Sequence, residues 1–170
     1  MNTVLYTKPS NMASSSSSSS SKHDVFLSFR GKATRYNFTS HVYGNLCEKG
    51  IRTFMDDRLE RGEEIEPAII KAIKEAEVSV IIFSNNYADS PWCLDELVMI
   101  LKCRDEQLQD VIPVFYHVDP DDVREQKNSF GEALAKHKRH FQGNPDKVQK
   151  WRTALTKAAN IDGKDLTEAT

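Results

Sequence analysis

Val78–Ser84, "VSVIIFS", is an uncharged run rich in β-branched side chains and too short to be a helix. Such a run is a strand buried on both faces, and a strand buried on both faces belongs in a parallel sheet covered by helices. The flanking sequence supplies the rest of that architecture. "DVFLSF" from Asp24 and "VIPVFYHV" from Val111 read as further strands, with "IRTFM" from Ile51 a short one. Between them lie amphipathic helical stretches: "YNFTSHVYGNLCEKG", closed by Gly50, and "IEPAIIKAIKEA". A third helix opens at Ser90-Pro91, where Ser supplies a cap oxygen and Pro loses no needed donor. A long helical region then runs from Asp121 to about Asn160, interrupted near Gly143-Asn144-Pro145. This alternation predicts an α/β domain: a flavodoxin-like, doubly wound parallel sheet of about four to five strands with helices on both faces.

The first 23 residues stand apart. Ser14–Ser21 is an unbroken serine run and no acid precedes Asp24, so residues 1–23 are expected to be a disordered tail and residues 24–170 the folded domain. A Ser-rich, acid-free start also matches the composition of a chloroplast transit peptide, and Met12 offers a second start. Residues 1–22 lack the apolar core of a secretory signal, and no long apolar window occurs elsewhere. All 25 acids lie from Asp24 onward, against 21 of the 23 Lys and Arg, so the folded part is mildly acidic. That charge argues against a membrane surface or nucleic acid as partner. Cys47, Cys93 and Cys103 show no CxxC spacing, which fits a reducing compartment. Cys93 with His117 has no recognisable nucleophile context, and His137 with His140 reads as a solvated polar face rather than a metal site.

Ligands of doubly wound sheets bind outside the C-terminal strand ends, where the strand order reverses. The loops expected there are "FRGKATR", with Arg30 and Arg35, and "SNNYADSPW", which leads into the helix carrying Trp92, Asp95 and Glu96. At about 100° per residue, Leu94, Leu97, Val98 and Leu101 form the expected core stripe. Glu96 then falls nearly opposite, on the side of Trp92 and Met99. A phosphoacceptor receiver is excluded, because it needs acids after the first strand and a phosphorylatable Asp after the third. Asp56-Asp57 and Asp119-Asp121-Asp122 read as caps and turn formers, with no metal site.

Six segments in order resemble the plant class of Toll/interleukin-1 receptor (TIR) domains, found at the front of intracellular immune receptors of the nucleotide-binding, leucine-rich-repeat type. They are "DVFLSFRG", "GIRTFMDD", "LERGEEI", "SVIIFSNNYADSPWCLDELVMI", "VIPVFYHVDPDDVR" and "WRTALTKAANIDG". The resemblance implies an NAD⁺ hydrolase that cleaves the nicotinamide–ribose bond and signals in plant defence when it self-associates. NAD⁺ or NADP⁺ would be the substrate and no cofactor is implied. The family's glutamate corresponds to Glu96, with Asp95 the second choice. Phe29, Arg30, Gly31, Lys32, Ala33 and Thr34 would line the nucleotide pocket, Trp92 would stack near it, and the Arg61-Gly62 loop would close over it. Ser40 and His41 would mark one self-association face, for copies of this chain or other TIR proteins, in the cytoplasm or nucleus.

The chain departs from the family at two places. Lys32-Ala33 stand where two acids are usual, and the family continues past "GKDL" into a final helix, so that segment is expected as a bare edge strand. The rival expectation is a catalytically idle TIR adaptor or decoy that acts by homotypic contact alone.

Overall fold

The computed structural model describes residues 3–6, 23–31, 38–56, 65–162 and 164–165. In chain order the elements are β1 (Thr3–Tyr6), β2 (Val25–Ser28), α1 (Phe38–Glu48), β3 (Thr53–Asp56), α2 (Pro67–Glu75), β4 (Val78–Phe83), a 3₁₀ turn (Tyr87–Asp89), α3 (Pro91–Gln107), β5 (Asp110–Phe115), α4 (Pro120–Glu125), α5 (Asn128–His140), α6 (Pro145–Ala159) and β6 (Lys164–Asp165). The sheet runs β1-β3-β2-β4-β5-β6. From β3 to β6 every pairing is parallel, in the flavodoxin-like order the sequence predicts.

The parallel part of the sheet has five strands, within the expected range, and one strand is added that the sequence reading left in the tail: Thr3–Tyr6 lies antiparallel against β3, with Leu5 opposite Phe54. The segment "TVLY" is strand-forming by composition, and the serine run behind it masks that signal in a reading by average polarity. The packed domain also begins before residue 24: His23 is buried, edge-on to Phe54 at 5.4 Å between ring centroids. Residues 7–22 lie outside the described residues.

The two sheet faces are covered unequally. Phe26, Phe54, Ile81, Phe83 and Phe115 pack with the buried residues of α2 to α6 in one large core. Val25, Leu27, Phe29, Ile82 and Val114 form a smaller cluster under Phe38, Val42, Tyr43 and Leu46 of α1. At α1's far end Gly50 has φ 78°, a conformation that suits glycine and closes the helix as the sequence predicts.

The region after β5 breaks twice, not once. The second break is at Gln126, at φ 50°, whose side-chain amide donates to Val123 O and Arg124 O, each at 2.9 Å. A glutamine that caps a helix through its own side chain carries no turn signature, so periodicity runs through it. Asp119 caps α4, accepting from Asp121 N at 2.9 Å, as a turn former should.

Candidate functional site

The site grows from the opening of α3. Ser90 accepts from Cys93 N at 3.3 Å and Pro91 takes the first helical position, so the helix begins where its sequence says. One turn further in, Glu96 is only 2% exposed, and Ser28 Oγ, at the C-terminal end of β2, donates to its Oε2 at 2.9 Å. Ser28 Oγ also lies 2.8 Å from the Tyr87 hydroxyl, which in turn donates to Cys93 O at 3.0 Å. These contacts link the end of β2, the 3₁₀ turn and the opening of α3 through hydroxyl groups. The Cys93 thiol donates to Phe29 O at 3.5 Å, a further tie between the same helix and the end of β2.

This corrects the expected orientation of Glu96. Cys93, Glu96, Ile100 and Cys103 are buried at helical spacing, alongside Leu94, Leu97 and Leu101. Helix α3 is therefore enclosed on more than one side, and Val98, assigned to the core stripe, is only half-buried. Glu96 belongs to a stripe that the leucine pattern hides.

Its neighbour has a different role. Asp95 Oδ1 accepts from the Trp151 indole N–H at 2.9 Å, and Oδ2 lies 4.0 Å from Lys147 Nζ. Both partners belong to α6, so Asp95 joins two helices rather than facing a strand end.

The other sequence candidates divide. Phe29, expected to line a pocket, is 3% exposed and packs in the α1-side cluster, so its side chain is core and only its backbone is offered to the site. The apolar strand simply continues one residue past Ser28. Arg30 and Gly31 follow, both partly exposed, and Trp92 is half-buried one turn before Glu96. Lys32, Ala33, Thr34, Arg35, Arg61 and Gly62 lie outside the described residues. Ser40 and His41 are exposed on α1. Cys93 is buried while His117 is exposed beside the Tyr116 ring. His137 is not on a solvated face: it is buried, with Nε2 at 2.8 Å from Ala88 O. Among the described residues no group of three or more His, Cys, Asp or Glu could hold a metal, and no helix is long and apolar enough to cross a membrane.

Ser28 is the residue that the sequence reading missed. It sits inside the quoted "FLSF" strand, and a serine at a buried register is the available signal: a hydroxyl there requires a partner.

Comparison with known proteins follows the same outline. The TIR domain model matches residues 22–169. The chain is 57% identical over 156 residues to disease resistance protein RPV1 of Vitis rotundifolia, covering 89% of this chain and 11% of that protein. It is 51% identical over 163 residues to TMV resistance protein N of Nicotiana glutinosa, covering 93% of this chain and 14% of that one. The chain thus spans a small fraction of the length of these relatives. Among solved structures, the TIR domains of the activated Roq1 resistosome, which directly recognises the pathogen effector XopQ, superpose with a TM-score of 0.80 at 49% identity, over 86% of this chain and 89% of that one.

Proposed function

The chain belongs to the TIR domain family, and we propose that it is an NAD⁺ hydrolase that signals in plant immunity when copies associate. The observation that supports this reading best is the buried Glu96 carboxylate, held by Ser28 between β2 and the helix that follows β4. β2 and β4 are neighbours whose onward connections lead to opposite sides, which is the crevice where doubly wound sheets bind ligands.

Cleavage of the nicotinamide–ribose bond passes through an oxocarbenium-like state, as glycoside hydrolysis does. A fixed carboxylate stabilises that positive charge and orients ribose hydroxyls. Nicotinamide leaves as a neutral molecule from a cationic ring, so one carboxylate suffices without a strong general acid. Ser28 fixes the carboxylate, and Trp92, one turn earlier on α3, supplies a flat surface for the nucleotide. Because Glu96 is 2% exposed, the ribose reaches it only when the site opens. Such an opening is a step that packing between copies can control.

The relatives named for disease resistance and the resistosome assembly of Roq1 support the immune and self-associating parts of this reading. Exposed Ser40 and His41 are the proposed contact on α1, and the cytoplasm, with access to the nucleus, is the proposed location. The same burial of Glu96 favours a second reading, in which the carboxylate is a structural strut and the domain a homotypic adaptor. Nicotinamide release from NAD⁺, measured across the concentration range of self-association for wild type, Glu96→Gln and His41→Ala, separates the two. The hydrolase reading expects specific activity to rise with association in the wild type. Glu96→Gln should lower it by about 10²–10³-fold while still associating, and His41→Ala should lose association and activity together. Equal turnover in wild type and Glu96→Gln, or none at any concentration, leaves the adaptor.

A further inference from the structure

The segment from Lys136 to Arg152 carries six Lys and Arg against one acid, in a chain whose net charge is −2. It folds as the end of α5, a short turn and the first half of α6, and these enclose a groove of about 530 Å³. Lys138, Arg139 and Arg152 line it together with Phe141, Pro145 and Val148. Among the described residues none of these three cations forms an ion pair. Two other cations of α6 are engaged elsewhere: Lys147 faces Asp95 and the rings of Phe141 and Trp151, and Lys157 pairs with Asp105.

Part of this clustering follows from helix electrostatics, since cations in the last turn of α5 offset the negative end of its dipole. That account does not reach Arg152, in the middle of α6, where the dipole gives no such gain. Two guanidiniums and an ammonium around one groove form a site for a phosphate, which arginine holds in bidentate fashion. The apolar lining and the volume, within the range of small-molecule sites, add room for a ring system.

We infer that the α5–α6 groove binds a nucleoside diphosphate, its phosphates on Arg139, Arg152 and Lys138 and its base against the Phe141–Pro145–Val148 surface. This site lies on α5 and α6, apart from Ser28 and Glu96, and does not depend on the hydrolase reading.

Trp151 gives a direct reporter. Its indole N–H donates to Asp95, and its ring lies edge-on to Phe141 with centroids 5.5 Å apart. ADP is titrated into the full chain while the indole N–H resonances are followed by NMR. The expected result is a saturable shift of the Trp151 signal that persists in Glu96→Gln and weakens at least tenfold in Arg139→Glu/Arg152→Glu. Arg139→Gln alone, at an exposed position, serves as the reporter variant if the double reversal disturbs folding. Inorganic phosphate should compete, but more weakly than ADP. A Trp151 signal that does not move, or that moves equally in the charge-reversed protein, overturns the proposal. So does equal affinity for phosphate and ADP, which would mean a bare anion site, or binding of a single-stranded oligonucleotide without binding of ADP.

Discussion

Asp95 and Glu96 are adjacent carboxylates in the same turns of the same helix, and the structure gives them opposite surroundings. Asp95 looks across a helix–helix seam to Trp151 and Lys147 of α6. Glu96 looks toward the sheet, to a serine at the end of β2. One residue step on a helix is about 100°, enough to move a side chain from one seam to the next. The comparison teaches that proximity in sequence says little about shared role when a helix is enclosed on several sides. Asp95 joins two helices, and Glu96 is held at the end of β2, where the proposed function puts the reacting group.

The sharpest way to break this contrast is Glu96→Gln. The amide oxygen can still accept from Ser28, so the fold should persist, while nicotinamide release should fall by about 10²–10³-fold, the usual loss when one electrostatic stabiliser is removed. A variant that keeps both its melting temperature and its turnover would place Glu96 among the struts with Asp95. Next in size is Asp95→Ala, which strands the buried indole N–H of Trp151. It should cost about 1–3 kcal/mol of stability, read as a drop of several degrees in melting temperature, with activity per folded molecule nearly unchanged. If Asp95→Ala instead abolished turnover in a fully folded protein, the two roles would have been assigned the wrong way round.

Ser28→Ala refines the Glu96 side of the comparison. It removes the hydroxyl that fixes Oε2 and leaves Tyr87 with the Cys93 carbonyl as its remaining contact in this chain of hydroxyls. Turnover should fall about tenfold, near the lower end of what a hydrogen bond to a charged group carries. Ser28→Thr, which keeps the hydroxyl, should recover much of it, and steady-state kinetics on both variants checks the point.

The smallest expected effect concerns another buried titratable group. Among the described residues neither ring nitrogen of His23 has a hydrogen-bond partner, and burial, with the nearby Arg52, lowers its pKa in the fold. Asp24 and Glu75 oppose that shift without reversing it. The unfolded chain therefore takes up a proton before the folded one does. Stability from this group is full above the unfolded pKa of about 6.5 and declines as pH falls below it. His23→Leu should flatten that part of the profile, as followed by denaturant melts between neutral and mildly acidic pH. An unchanged slope would show that other groups set it.

What the sequence made legible follows from how each element is enclosed. Strands β2 to β5, Gly50 and Ser90-Pro91 were readable because a run buried on both faces, a left-handed turn and a helix cap each restrict residue choice locally. The direction of Glu96 was not, because α3 packs on several sides and its leucine stripe marks only one of them. Phe29 was misplaced for a related reason: in a strand end that enters a core, a motif residue and a packing residue look alike. Ser28 and Gln126 act through single side-chain hydrogen bonds formed only after the chain has folded, and periodicity carries no trace of such bonds. Thr3–Tyr6 was hidden by the composition of its neighbours.

That last strand has a consequence for how the sheet ends. Thr3–Tyr6 occupies the outer backbone groups of β3. An uncovered strand edge is a template for another strand. Removing residues 1–11 would therefore open this side of the sheet to a segment from another molecule while leaving Ser28 and Glu96 in place.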